Sequence, residues 1–158
     1  MPMLRLADYL RENLVLWDLP LLDKPTFLKA FAAEVAARLP GVDAEALAAR
    51  LIEREEQQST GVGGGLALPH AMLPGLEKTV VVVGRTREGL DFAALDSEPV
   101  DVFFLLLSAQ DAHTEHLRVL ARLVRIIAPE ETLEELRRAT GPGELYQMLL
   151  EEDARHVY

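Results

Sequence analysis

Two histidines, one arginine and a run of glycines give this chain the means to handle an anionic group. The run Ser59-Thr60-Gly61-Val62-Gly63-Gly64-Gly65-Leu66-Ala67-Leu68-Pro69-His70-Ala71 bends on its glycines and then presents a single imidazole. No fixed charge falls between residues 57 and 76. Imidazole has an ordinary pKa of about 6.5, so near neutrality it is a competent nucleophile. Pro69 fixes its own φ and holds Leu68 extended, which predicts His70 at the end of a short strand. The small Ala71 leaves room beside it for an approaching molecule.

The other candidates carry bland readings beside the chemical ones. His116 falls near the first turn of a predicted helix, where unpaired N–H groups and the positive dipole end attract phosphate. It can donate a hydrogen bond there, or simply pack against Leu120. Arg54, ahead of the glycines, offers bidentate recognition of phosphate oxygens, or pairs with Glu55 or Glu56 at a helix end. Ser59 and Thr60 can bond a phosphoryl oxygen or the backbone of the bend, and the second use is commoner. His113 and His116 stand three apart, a spacing that can chelate a metal on a helix. With His70 they would make three ligands of a catalytic zinc, and a metal-dependent hydrolase is the alternative reading. His156, in the tail, receives no role.

The glycines do not spell a nucleotide site. No Gly-Lys-Ser/Thr follows them, and Leu66 stands where the dinucleotide fingerprint needs its last glycine. The preceding element reads as a helix and the following one as a strand, the reverse of that fingerprint. The glycines instead permit unusual backbone angles and close approach of another backbone.

The elements that must position these groups follow from periodicity and punctuation. Residues 24–39 read as a helix capped by Asp23, with Phe27, Leu28, Phe31, Val35 and Leu39 at helical spacing. Asp43 caps a second helix through Glu56, with Leu47, Leu51 and Ile52 inward. Residues 79–85 contain four consecutive valines and read as a strand. Residues 101–107 read as a buried central strand. Residues 87–89 and 96–99 read as turns. A long helix over 112–127 is predicted to be largely buried, with only Arg118, Arg122 and Arg125 wet. Short helices follow over 130–139 and 143–151, and residues 153–158 are expected to fray. Helices and strands mix without strict alternation, which predicts an α/β (α+β) fold with a mixed sheet flanked by helices.

At 158 residues one domain is expected, with a core of about residues 4–150. There is no cysteine, hence no disulfide, thiolate metal site or cysteine nucleophile. The first twenty residues lack the apolar core of a signal peptide, and no segment is apolar enough to span a membrane. A cytoplasmic location is expected, with no direct membrane insertion. The net charge of -10 argues against nucleic acid and suits solubility or a basic partner surface.

The run GVGGGLALPHA resembles the active-site signature of the enzyme IIA domains of the phosphoenolpyruvate:sugar phosphotransferase system (PTS), fructose/mannitol class, which includes the nitrogen-regulatory IIA proteins. Arg54-Glu55 ahead of Ser59-Thr60-Gly61 matches, as do Glu88-Gly89-Leu90-Asp91-Phe92, Glu98-Pro99-Val100-Asp101 and Glu115-His116-Leu117. The likeness runs from about residue 4 to 150. The one departure is Gly64, where the family usually has asparagine. The resemblance implies a phosphoryl carrier with the family's architecture. It implies that His70 accepts a phosphoryl group on a ring nitrogen, with His116 stabilising that group and Arg54 supporting. It implies an HPr-like donor, and as acceptor either a IIB partner in sugar transport or regulatory target proteins. No nucleotide, metal or other cofactor is required. The IIB domain of this class carries its phosphoryl group on cysteine, so with no cysteine the expectation is that no active IIB domain is fused here, which suits the regulatory type. Met72 and Leu73 are candidates for an apolar docking patch, and core packing is the commoner use of Leu73.

Overall fold

A computed structural model describes residues 4–156. After two short 3-10 turns come strand β1 (Val15–Leu19) and helices α1 (Lys24–Arg38) and α2 (Ala44–Gln57). Next are the short strands β2 (Gly61–Gly63), β3 (Leu66–Ala67) and β4 (His70–Leu73), then the long β5 (Val80–Leu90) and β6 (Val100–Ala109). Helices α3 (His113–Ile127), α4 (Glu130–Arg137) and α5 (Pro142–Arg155) close the chain. The Asp23 carboxylate accepts the Thr26 amide, and that of Asp43 accepts the Glu45 amide. Both caps are the ones their sequence positions predict.

Among the described residues six strands form one sheet in the order β1-β5-β6-β3-β2, with β4 also pairing to β6. β5 and β6 are antiparallel, while β1–β5, β3–β6 and β4–β6 are parallel. Helices cover both faces, so the central strands bury both of theirs. Val102 to Leu107 are all essentially inaccessible. Val80, Val82, Phe103, Leu105 and Leu107 face α1 and α2, where Phe27 lies 4.6 Å from Phe103 between ring centroids. Val81, Val83, Phe104 and Leu106 face α3, α4 and α5. No helix among the described residues is long and apolar enough to cross a membrane.

Four expectations need correction. First, residues 87–89 are not a turn. β5 continues through them to Leu90, which pairs with Val100 across a bulge that absorbs the polar residues. Second, α3 is amphipathic rather than largely buried. Leu117 is 64% exposed, whereas Arg122 is buried. Third, α5 runs to Arg155, and Asp153 is buried rather than frayed. It receives Arg122 at 2.9 Å and the amides of Leu6 and Ala7, each at 2.9 Å. The last two residues of the expected fraying lie outside the described ones. Fourth, His70 opens strand β4 instead of ending a strand.

Candidate functional site around His70

Pro69 interrupts the chain between β3 and β4, and both of these short strands lie along β6. The Pro69 carbonyl still accepts the Leu106 amide at 3.0 Å, so the interruption costs the ladder little. His70 is thereby set beside Leu106, in register. Strand alternation puts Ala71 and Leu73 into the core toward α1 and α2, and turns His70 toward the α3 side. The ring is partly buried, and its Nδ1 lies 3.1 Å from the Leu68 carbonyl oxygen. A carbonyl only accepts, so Nδ1 carries a proton, and in the neutral ring the lone pair then falls on Nε2.

His116 reaches the same place from the first turns of α3. The two ring centroids are 5.5 Å apart, with planes inclined at 60°. His116 is buried, and its Nδ1 is 2.7 Å from the hydroxyl of Ser108 on β6. Burial pushes this imidazole below its usual pKa, and the imidazoles of His70 and His113 push it the same way. Its first turn is anchored by Glu115, which accepts from Thr79 at 2.6 Å and from Tyr9 at 3.3 Å.

The glycine bend is held by a network in which Ser59 and Thr60 were expected and the Lys24–Glu55 pair was not. Glu55 accepts the Thr60 amide at 2.9 Å and also bonds the Thr60 hydroxyl. Lys24 pairs with Glu55 at 2.6 Å, donates to the Phe92 carbonyl at 2.7 Å and lies 4.2 Å above the Phe92 ring. Ser59 accepts the Gly61 amide at 3.0 Å. Ser59 thus serves the backbone of the bend, the commoner of the two uses expected of it, whereas the Thr60 hydroxyl bonds the Glu55 carboxylate, which is neither of the two. Arg54 donates to the Gln58 carbonyl at 2.9 Å and closes its own helix, while Lys24 takes Glu55.

At the tip, Gly63, Gly64 and Gly65 all have positive φ. A Cβ on Gly65 would strike the Arg137 guanidinium and lie 2.9 Å from Asp101. These two form an ion pair at 2.9 Å, and Arg137 also donates to the Gly64 carbonyl. Gly64 sits at φ +67°, and a Cβ added there would meet nothing closer than Leu133 at 3.9 Å. That is left-handed backbone which asparagine also adopts. The backbone at this position therefore suits the family's usual asparagine as well as the glycine found here.

His70 and His116 come together, and Arg54 stands at the helix end that enters the bend. His113, exposed at the start of α3, does not complete a metal site. Among the described residues no group of three His, Cys, Asp or Glu is placed to hold a metal ion, so the hydrolase reading lacks its ligand set. Met72 is partly buried and Leu73 is core, which removes Leu73 from any docking patch. Ser108 was missed. The one hint was its place as the first polar residue after the apolar run of 101–107, at the carboxyl end of a central strand, where ligands gather in open sheets.

A family model for the phosphoenolpyruvate-dependent sugar phosphotransferase system EIIA 2 matches residues 8–152. A nitrogen regulatory protein of Bradyrhizobium diazoefficiens is 34% identical over 144 residues, which cover 91% of this chain and 94% of that protein. The crystal structure of the nitrogen regulatory protein IIA-Ntr from Neisseria meningitidis superposes with a TM-score of 0.81 at 27% identity, covering 90% of this chain and 97% of that one. The mannitol IIA of Escherichia coli, solved in complex with phosphorylated IIB, shares the fold at a TM-score of 0.68 and 19% identity, over 90% of this chain and 99% of the other. With two histidines meeting at the edge of a mixed sheet, and with this match over nearly its whole length, the chain belongs to the EIIA 2 family of phosphotransferase system proteins.

Proposed function

We propose that His70 is the phosphoryl acceptor and that Nε2 is the atom that bonds phosphorus. The observation that carries this reading is the Nδ1 contact to the Leu68 carbonyl, which fixes the ring's orientation and leaves a lone pair on the other nitrogen. A phosphorylated HPr-like carrier docks over His70. The Nε2 lone pair forms the new N–P bond while the donor's bond to phosphorus breaks and its electron pair returns to the donor. The Nδ1 proton stays in place. Such a transition state is loose, so the protein contributes mainly position and charge. His116 donates to the phosphoryl oxygens, and Arg54 supports from the helix end. In the second half-reaction the phosphoryl group leaves for an acceptor, and His70 recovers its free ring.

The acceptor separates transport from regulation. The regulatory reading is favoured, because a nitrogen regulatory protein matches this chain across nearly the full length of both. In that role the phosphorylation state of His70 is read by target proteins. A IIB partner is the second reading, favoured by the shared fold of a mannitol IIA solved with phosphorylated IIB. Both place the protein in the cytoplasm. The test mixes the protein with phosphoenolpyruvate, enzyme I and HPr, and localises the acid-labile adduct by mass spectrometry. The adduct is expected on His70 and absent from His70→Ala; an adduct on any other residue overturns the assignment.

A further inference from the structure

We infer that Ser108 is a positioning residue. Its hydroxyl donates to Nδ1 of His116 and so holds that ring in the form whose Nε2 carries the proton.

Both groups are buried, Ser108 completely, and the Oγ–Nδ1 distance of 2.7 Å is that of a strong hydrogen bond. Two proton arrangements fit that distance. If Nδ1 donated, the Ser108 proton would be left without an acceptor, since among the described residues its hydroxyl has no other partner. A buried donor left unpaired costs more than a typical bond returns. The arrangement that satisfies both groups has Ser108 donating and Nδ1 accepting. Burial favours the neutral imidazole, which then has a single N–H, on Nε2. His70 is fixed in the opposite sense, with its proton on Nδ1 and its free pair on Nε2. The paired rings are therefore held as one nucleophile and one donor. Backbone fixes the first and a side chain fixes the second.

Ser108 owes its place to the sheet. It is paired with Met72 in the β4–β6 register, two residues beyond the pairing of His70 with Leu106. Alternation puts the side chains of Leu106 and Ser108 on the face that α3 covers. The strand that sets the position of His70 thus also presents the hydroxyl that orients His116.

The consequence for transfer rests on His70 being the acceptor, but the tautomer itself does not, so two measurements separate them. Long-range proton–nitrogen spectra of the unphosphorylated, nitrogen-15-labelled protein at about pH 8, above the ordinary imidazole pKa, read each ring directly. The wild type is expected to show His116 protonated on Nε2, with a hydrogen-bonded Nδ1. In Ser108→Ala the His116 Nδ1 signal moves to that of an unbonded nitrogen, and the His70 signals stay. Ser108→Thr, which keeps a hydroxyl, returns the wild-type pattern. A His116 protonated on Nδ1 in the wild type, or an unchanged Nδ1 signal in Ser108→Ala, overturns the inference. Transfer from phosphorylated HPr is expected to slow roughly 3- to 10-fold in Ser108→Ala, the worth of one neutral hydrogen bond, and to recover in Ser108→Thr. An unchanged rate alongside a changed spectrum would remove the positioning role. An adduct found away from His70 would sink the acceptor assignment, and the spectra would still decide Ser108.

Discussion

Arg122 of α3 and Asp153 of α5 form an ion pair at 2.9 Å, with side chains only 7% and 2% exposed. The same carboxylate takes the amides of Leu6 and Ala7, so one buried charge ties the start of the chain to its last helix. Removing one partner leaves an uncompensated charge in the interior. Asp153→Ala is expected to lose roughly 3–5 kcal/mol in urea unfolding. A loss below about 1 kcal/mol would mean that the pair is screened like a surface one.

His116→Ala should keep the fold and still place the phosphoryl group on His70, since the nucleophile and its Leu68 contact are untouched. Transfer should slow by about 10- to 100-fold through loss of a donor aimed at developing charge. Rapid-quench kinetics with phosphorylated HPr measure this, and wild-type rates would remove His116 from the site.

The depressed pKa of His116 makes stability depend on pH in a defined direction. Between its folded value and the ordinary 6.5, the unfolded chain binds a proton that the folded chain does not. Stability therefore falls as pH drops below about 6.5 and is unaffected above it. Urea midpoints across that range should show a slope that flattens in His116→Gln. An equal slope in the variant would place the effect elsewhere.

The glycine tip separates two substitutions that look alike on paper. Gly65→Ala forces a side chain into the Arg137–Asp101 pair at φ +82° and should destabilise by roughly 1–3 kcal/mol. Gly64→Asn has open space and a compatible φ, and should change stability by less than about 1 kcal/mol. Thermal melts of the two variants test the pair. Equal effects would mean that the bend is not held as described.

What was legible in the chain was local. The caps at Asp23 and Asp43, the valine strand, the apolar run of 101–107 and the glycine-to-histidine segment each carry their signal within a few residues. What was not legible depends on partners far along the sequence. Residues 87–89 look like a turn by composition, and only the pairing of Leu90 with Val100 keeps them in a strand. Arg122 reads as a wet residue on its helix, and only Asp153, thirty-one positions later, makes it an interior one. Lys24 looks like an ordinary first-turn lysine until Glu55 and the Phe92 carbonyl meet it. Of the two histidines, His70 announced itself by its neighbours, whereas the orientation of His116 depends on Ser108, a residue of another element.

Since β3 and β4 both lie against the central strand β6, the main chain on either side of Pro69 is anchored to the most deeply buried strand of the sheet. If His70 is the acceptor proposed above, its cargo is loaded and unloaded without any refolding of its carrier. The direction of traffic then follows the relative transfer potentials and abundance of the proteins that visit, and no internal clockwork has to be reset between visits.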